Sequence, residues 1–238
     1  MANNYFQFKA FTIYQDQCAM KVTTDACLFG AITAAQFIRK SDKRLLDIGT
    51  GTGLLSLMVA QKNEGVQIDC AEIEHAAAAQ ATSNIKSSSF ANQVNTFHTD
   101  IKQHVTDVLY DFIFTNPPFF ENDLKSDKVN RNKALHDASL TLVDLMQQID
   151  RLLKTDGAFC ILLAFHRTKY FIDLALKTGW VCNRNISVKQ TEKHEAFRSI
   201  LLFERKYTTT ENTCIIIKQN GSYSDEFSKL LKDYYLNL

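Results

Sequence analysis

Residues 44–61 read RLLDIGTGTGLLSLMVAQ. An apolar run holding one acid, Asp47, gives way to Gly49, Gly51 and Gly53 and then to a second apolar run. The first run has the length and composition of a buried strand, and the second continues as a helix. Glycines at such a junction allow a tight turn and let a ligand approach the backbone at the helix N-terminus. The loop alone leaves open a dinucleotide, a nucleoside or simple helix–strand packing. A P-loop is excluded because no Gly-Lys-Ser/Thr follows, and the GxGxxG spacing is absent. Asp47 either holds an amino group or orders the loop through backbone N–H groups.

Outward from this stretch, strand and helix patterns alternate. VQIDCAE (66–72) reads as a strand and the Ala-rich EHAAAAQATSNIK (74–86) as a helix. VNTFHT (94–99) is a strand, followed by a weaker helical stretch near 101–109 and the strand DFIFT (111–115). SLTLVDLMQQIDRLLK (139–154) is amphipathic, opened by Ser139 and stopped near Gly157. GAFCILLAF is a buried strand, and a further helix ends near Gly179. Repeated βα units imply a parallel sheet covered on both faces. The β-rich segments 180–189, 196–206 and 212–219 have no comparable helix between them, so they predict antiparallel pairing at one edge. A last helix is expected in DEFSKLLKDYYL, and one near 25–39 in the N-terminal extension.

The chain has 238 residues, 45% hydrophobic and 22% charged, which excludes disorder, collagen and a disulfide scaffold. No apolar run approaches a membrane span, and MANNYFQFKAFTIYQD does not read as a secretory signal. The six cysteines form no CxxC pair, so a cytoplasmic protein without structural zinc is expected, and no metal site is apparent. The net charge is +1, but residues 45–120 hold eight acids against three bases, between two mildly basic ends.

Glu72 ends the second strand and Asp100 follows the third, so with Asp47 three acids stand at successive carboxyl ends, where ligands bind in doubly wound folds. LLDIGTGTGLLSL, AEIE and HTDI resemble the class I S-adenosylmethionine-dependent methyltransferases. The resemblance implies a Rossmann-like, doubly wound α/β sheet of seven mostly parallel strands with an antiparallel edge. It also implies Asp47 and Gly49 near the methionine moiety, Glu72 on the ribose hydroxyls, Asp100 with Ile101 at the adenine, and Gly51, Gly53 and Ile73 among the other cofactor-binding residues.

The strand DFIFT runs into Asn116, Pro117, Pro118 and Phe119. Two prolines remove two backbone donors and stiffen the turn. The Asn116 carbonyl and an adjacent backbone carbonyl can then accept both N–H bonds of a planar amine, with an aromatic ring stacked on the base. The motif resembles the [N/D/S]PP[Y/F/W] signature of amino-methyltransferases, and implies Asn116 at both the substrate and the cofactor.

FKAFTIYQDQCAMKVTTDACLFGA (8–31) resembles the opening of the bacterial tRNA adenine-N6-methyltransferases that modify adenosine 37 of valine tRNA. It keeps Cys18, Ala19, Met20, Lys21, Val22, Thr24, Asp25, Leu28, Gly30 and Ala31, and departs at Thr23 and Ala26 where glycines are usual. RNKALHDASLTLVDL and SYSDEFSKLLKDYYLNL extend the likeness to essentially the full chain. The resemblance implies S-adenosylmethionine as cofactor, a tRNA anticodon loop as partner, and no membrane or obligate protein partner. Residues 1–43 are then an extension packing on the 44–238 methyltransferase domain and contributing to the cofactor and RNA sites. Lys21, Thr24 and Asp25 would close the cofactor pocket.

Phosphate contacts are sought among Lys9, Arg39, Lys40, Lys43 and Arg44, and among Arg184, Lys189, Lys193, His194 and Arg198. The polar stretch after the motif adds Lys125, Lys128, Arg131, Lys133 and His136. Each could equally be an ordinary solvated charge. An rRNA base methyltransferase and a release-factor glutamine-N5 methyltransferase are the competing readings. The second is disfavoured by the mere 46 residues before Asp47.

Overall fold

The computed structural model describes residues 3–18, 20–117 and 140–238. From the N-terminus, β1 (Tyr5–Gln7) and β2 (Thr12–Tyr14) form a hairpin, and α1 (Thr24–Ile32) continues into a π-helical turn at Thr33–Phe37. Then come β3 (Arg44–Ile48), α2 (Leu54–Lys62), β4 (Gln67–Glu72), α3 (His75–Lys86), β5 (Val94–His98) and β6 (Tyr110–Thr115). α4 (Leu142–Leu152), β7 (Leu153–Ala164) and α5 (Thr168–Lys177) follow. The chain closes with β8 (Val181–Thr191), β9 (Ala196–Glu204), β10 (Glu211–Gln219), β11 (Ser222–Tyr223) and α6 (Asp225–Leu231).

One sheet runs β11-β10-β8-β9-β7-β6-β3-β4-β5. The expected seven-stranded unit is its β8-to-β5 part, with β9 antiparallel between β7 and β8 and the other neighbouring pairs parallel. Two strands more than expected extend it. β10 pairs parallel to β8 and not as a third antiparallel strand. Both edges of β9 are already taken by β7 and β8, so β10 can add only outside β8.

α1, α2, α3 and α6 cover one face, where Phe29, Leu55, Met58, Ile85 and Phe227 share a core with Phe112, Phe114 and Leu162 of the sheet. α4 and α5 cover the other, where Leu145, Ile149, Phe171 and Trp180 surround the stacked Phe159 and Phe203 rings, 4.7 Å apart. α4 buries Leu142, Leu145, Met146, Ile149 and Leu152, the i, i+3, i+4, i+7 spacing of a half-buried helix. Each such side chain contributes about 1.5–3 kcal/mol.

Local start and stop signals differ from expectation in three places. α4 is capped by Thr141, which accepts from Asp144 N while Asp144 returns the bond in a capping box; Ser139 lies outside the described residues. α4 passes directly into β7, so Gly157 is a strand residue. A Cβ there would stand 3.1 Å from Asp111 O on β6 and 3.0 Å from Leu153 Cδ2, where the β6–β7 register shifts. Residues 101–109 form turns, not a helix: Ile101, Val105, Val108 and Leu109 have helical spacing, but only Ile101 is buried and Val105 is almost fully exposed, so the stripe packs on nothing that would stabilise a helix.

The N-terminal extension is part of the packing. Phe8, Phe11 and Ile13 are buried against the α1 face, and Phe8 lies 6.0 Å from the Tyr235 ring. Tyr14 N and O bond the side chain of Asn84 on α3. α1 runs down the sheet from its carboxyl edge, where Asp25 bonds Arg198, past Thr33 against Cys160 of β7. Among the described residues no helix is long and apolar enough to cross a membrane.

Candidate active site at the carboxyl edge

β3 ends at Ile48 and the chain turns through Gly49, Gly51 and Gly53 with φ of 73°, 57° and 81°. A Cβ at Gly49 or Gly51 would meet nothing within 4 Å, so glycine is needed for the left-handed backbone and not for space. Gly49 N and Thr50 N donate to Ala71 O of β4, and Gly53 N closes on Thr50 O.

Two acids hold this loop in different ways. Glu72, at the end of β4, accepts from Gly51 N at 2.8 Å through one oxygen and from Glu74 N at 3.0 Å through the other. Asp47 is fully buried; its Oδ2 accepts from Thr50 Oγ1 at 2.7 Å and Ser56 Oγ at 2.8 Å. Of the two readings of Asp47, ordering through backbone N–H groups is not what forms: hydroxyls serve Asp47, while Gly49 N and Thr50 N go to Ala71 O, Gly53 N to Thr50 O and Gly51 N to Glu72. The Asp47 Oδ1 is buried without a partner among the described residues. Burial pushes the Asp47 carboxyl up to about 7, the hydroxyls of Thr50 and Ser56 oppose that rise, and the Glu72 charge adds to it.

Asn116 is brought to the same place by the parallel β3–β6 pairing, in which Thr115 stands opposite Ile48. Thr115 Oγ1 donates to Ile48 O at 2.8 Å, tying the end of β6 to the end of β3. The Asn116 Oδ1 is buried and without a partner among the described residues, and Pro117 is buried. Pro118 and Phe119 lie outside the described residues, as do Lys125, Lys128, Arg131, Lys133 and His136.

The remaining cofactor candidates divide. Ile73 is exposed beside the β4 end, and His98 Nε2 lies 3.1 Å from its carbonyl. Asp100 accepts from Lys102 N at 2.9 Å in a turn after β5. Ile101 is buried in the core of the α4 face. Lys21 is exposed, while Thr24 and Asp25 are half-buried in the first turn of α1, with Asp25 Oδ2 accepting from Arg198 Nε at 2.7 Å.

The RNA candidates separate more sharply. Lys189, Lys193 and Arg198 flank the β8–β9 turn at the carboxyl edge. Arg39 and Lys40 precede β3 and so stand at the opposite edge, a strand's length away; Arg39 pairs with Asp42 and donates to Asp156 O. Arg44 pairs with Asp69 there. Lys9 lies by the C-terminal helix, donating to Lys232 O at 2.6 Å. Arg184, on β8, pairs with Glu211.

Three organising residues escape the motif reading. Asn84 donates to Thr52 O and Tyr14 O, joining the glycine loop to the extension. Gln15 is buried and accepts from Val22 N, shaping the 15–22 segment. Ser56 links Asp47 to Cys70 Sγ. A buried polar residue within an Ala-rich helix was the available sign for Asn84.

Residues 30–169 match the methyltransferase small domain family. A curated tRNA1(Val) (adenine(37)-N6)-methyltransferase of Dyadobacter fermentans is 41% identical, over 98% of each chain. Relatives with the same name from Parabacteroides distasonis and Trichodesmium erythraeum are 36% identical over all of both chains and 37% over 99% of each. A predicted O-methyltransferase from Agrobacterium tumefaciens shares the fold at a TM-score of 0.69 and 15% identity, covering 90% of this chain and 100% of its own. A putative RNA methyltransferase from Pyrococcus horikoshii gives 0.56 at 16% identity, covering 80% and 85%.

Fold and glycine loop together define a class I S-adenosylmethionine-dependent methyltransferase. The chain belongs to the methyltransferase small domain family and, within it, to the tRNA1(Val) (adenine(37)-N6)-methyltransferase family. The residues present fit the cofactor: an orphan buried carboxylate oxygen at Asp47, an acid at the β4 end and a left-handed glycine loop lie along one edge.

Proposed function

We propose that this enzyme methylates N6 of adenosine 37 in a valine tRNA, acting in the cytoplasm. The carrying observation is the buried Asn116 Oδ1, without a partner among the described residues and held beside the glycine loop by the β3–β6 pairing and the Thr115–Ile48 bond. Asp47 Oδ1 takes the amino group of the cofactor and Glu72 its ribose hydroxyls, while Gly49 to Gly53 leave room for the chain between them. Lys21, Thr24 and Asp25 close that pocket from the extension. Asp100 and Ile73 border the adenine end, with Ile101 packing behind it. When bound, the cofactor supplies an electrophilic methyl group.

An exocyclic amine is a weak nucleophile because its lone pair is delocalised into the ring. Asn116 Oδ1 accepts one N–H and an adjacent backbone carbonyl accepts the other, which favours a pyramidal nitrogen with its lone pair aimed at the methyl. Pro117 and Pro118 keep backbone donors out of that cradle. The nitrogen becomes strongly acidic once alkylated, so water suffices to take the proton. Positioning and electrostatics carry the step. A base beside the anticodon must be drawn out of its stack to reach Asn116. Lys189, Lys193 and Arg198 supply cations for the adjoining phosphates, and Lys128, Arg131, Lys133 and His136 are assigned to the same task.

The test is methyl transfer from labelled S-adenosylmethionine to unmodified valine tRNA, to the same tRNA with guanosine at 37, and to a release factor. N6-methyladenosine formed only in the first supports the reading. Label in the guanosine-37 tRNA or in the release factor refutes it.

A further inference from the structure

We propose that Phe165 and the Arg167–Tyr170 pair form a stacking platform for the unpaired bases flanking the target adenosine. The inference rests on the tRNA reading above and adds to it a specificity surface that no motif marks.

β7 is the direct neighbour of β6, with Thr115 opposite Ile161. The chain leaving β7 at Ala164 therefore rises beside Asn116, roughly 10 Å of strand beyond the level of Thr115. It enters a 3₁₀ turn, Phe165–Arg167, and then the first turn of α5. Phe165 is 43% exposed and Tyr170 47% exposed, and the Arg167 guanidinium lies 5.5 Å from the Tyr170 ring centroid. The core-facing side of the same helix is filled by Phe171 and Ala175, both fully buried, so the two exposed rings are not spare core residues.

The turn that presents them is pinned. Thr168 is buried, its hydroxyl donates to Phe165 O at 2.7 Å, and it lies 2.7 Å from Ser199 Oγ on β9. Exposed rings on a fixed turn, with a guanidinium plane among them, are the chemistry that recognises splayed single-stranded bases. Drawing one base out of a stacked loop deprives its neighbours of a partner, and a ring offered beside the pocket replaces it. Lys189 near the end of β8 and Lys193 on the β8–β9 turn place cations along the same edge for the backbone.

The experiment measures kcat and KM on full-length unmodified valine tRNA and on the same tRNA made abasic at the two nucleotides flanking adenosine 37. Wild type is compared with Phe165→Ala, Phe165→Ala/Tyr170→Ala and Phe165→Trp. The double variant should raise KM for intact tRNA about tenfold or more, with kcat and cofactor affinity little changed. Phe165→Trp should restore most of the Phe165→Ala loss. On abasic tRNA wild type should lose affinity by a similar factor and the double variant should lose nothing further. Multiplying losses, or unchanged KM in the variants while wild type methylates normally, would overturn the platform and leave the substrate reading intact. No methylation of adenosine 37 by wild type would overturn both.

Discussion

The acids carried on the β-strands and on the turn leading into β3 are treated in opposite ways at the two edges of the sheet. At the amino edge, acids and bases meet one another: Arg39 with Asp42, Arg44 with Asp69, Lys154 with Asp111. Tyr110 adds a hydroxyl to Asp69 at 2.9 Å. At the carboxyl edge the acids of β3 and β4 face no cation in the glycine loop. Asp47 is held by hydroxyls and Glu72 by backbone N–H groups. The pKa directions follow. Burial raises Asp111 but Lys154 and two backbone N–H groups outweigh it, leaving it below the ordinary range, whereas Asp47 is pushed up to about 7. At the amino edge these acids find their partners within the fold. At the carboxyl edge the Asp47 and Asn116 side-chain oxygens keep acceptor capacity without a partner among the described residues.

The largest expected effect that separates the edges is at Asn116. Asn116→Ala should lower single-turnover methyl transfer by about 100-fold or more, the size seen when one preorganised polar partner of a transition state is removed. Cofactor affinity by titration calorimetry should stay within a few-fold. Next is Glu72→Ala, which strips acceptors from Gly51 N and Glu74 N. Cofactor affinity should fall about tenfold or more, with a stability loss of about 1–3 kcal/mol by denaturant titration. Unchanged affinity in that variant would remove Glu72 from the pocket.

A pH series sharpens the contrast further. The folded-state pKa of Asp47 stands above its unfolded value, so between pH 3.8 and about 7 the folded chain binds more protons. Its contribution to stability therefore falls as pH rises through that window. A ligand ammonium captures the ionised form, so cofactor affinity should rise as pH climbs towards and past about 7. Asp47→Asn should flatten both dependences; an undiminished slope in that variant would assign the titration elsewhere.

How far the sequence could be read follows from the range of each interaction. The glycine turn is local, and residues 44–61 carry it whole. The β4 acid falls where a doubly wound sheet places it, a rule of topology. The ties that make the site are long-range: Thr115 to Ile48, Asn84 to Thr52 and Tyr14, and Arg198 to Asp25 across 173 positions. No spacing announces them. The same holds for β10, whose parallel place outside β8 is dictated by the occupied edges of β9. Basic residues were the least legible, because a lysine in sequence does not say which edge it stands on. Arg39 and Lys40 thus fell to the amino edge and Lys189 and Lys193 to the carboxyl edge.

The smallest effects on activity are expected at the amino edge. Tyr110→Phe should cost about 1 kcal/mol of stability with kcat and KM unchanged. Arg39→Ala, which leaves the buried Asp42 carboxylate without its guanidinium, should cost about 1–3 kcal/mol of stability and leave the salt dependence of tRNA binding as it was. Lys189→Ala/Lys193→Ala should instead reduce that salt slope. A reversal of the last two results would move the RNA to the other edge.

The most direct measurement is mass spectrometry of nucleosides at position 37 of valine tRNA isolated from cells lacking this gene. The same tRNA is isolated from cells re-expressing wild type or Asn116→Ala. The expected result is loss of N6-methyladenosine on deletion, recovery with wild type and none with Asn116→Ala. Persistence of the modification after deletion, or its recovery with Asn116→Ala, would contradict the assignment of this edge as the site of adenine methylation.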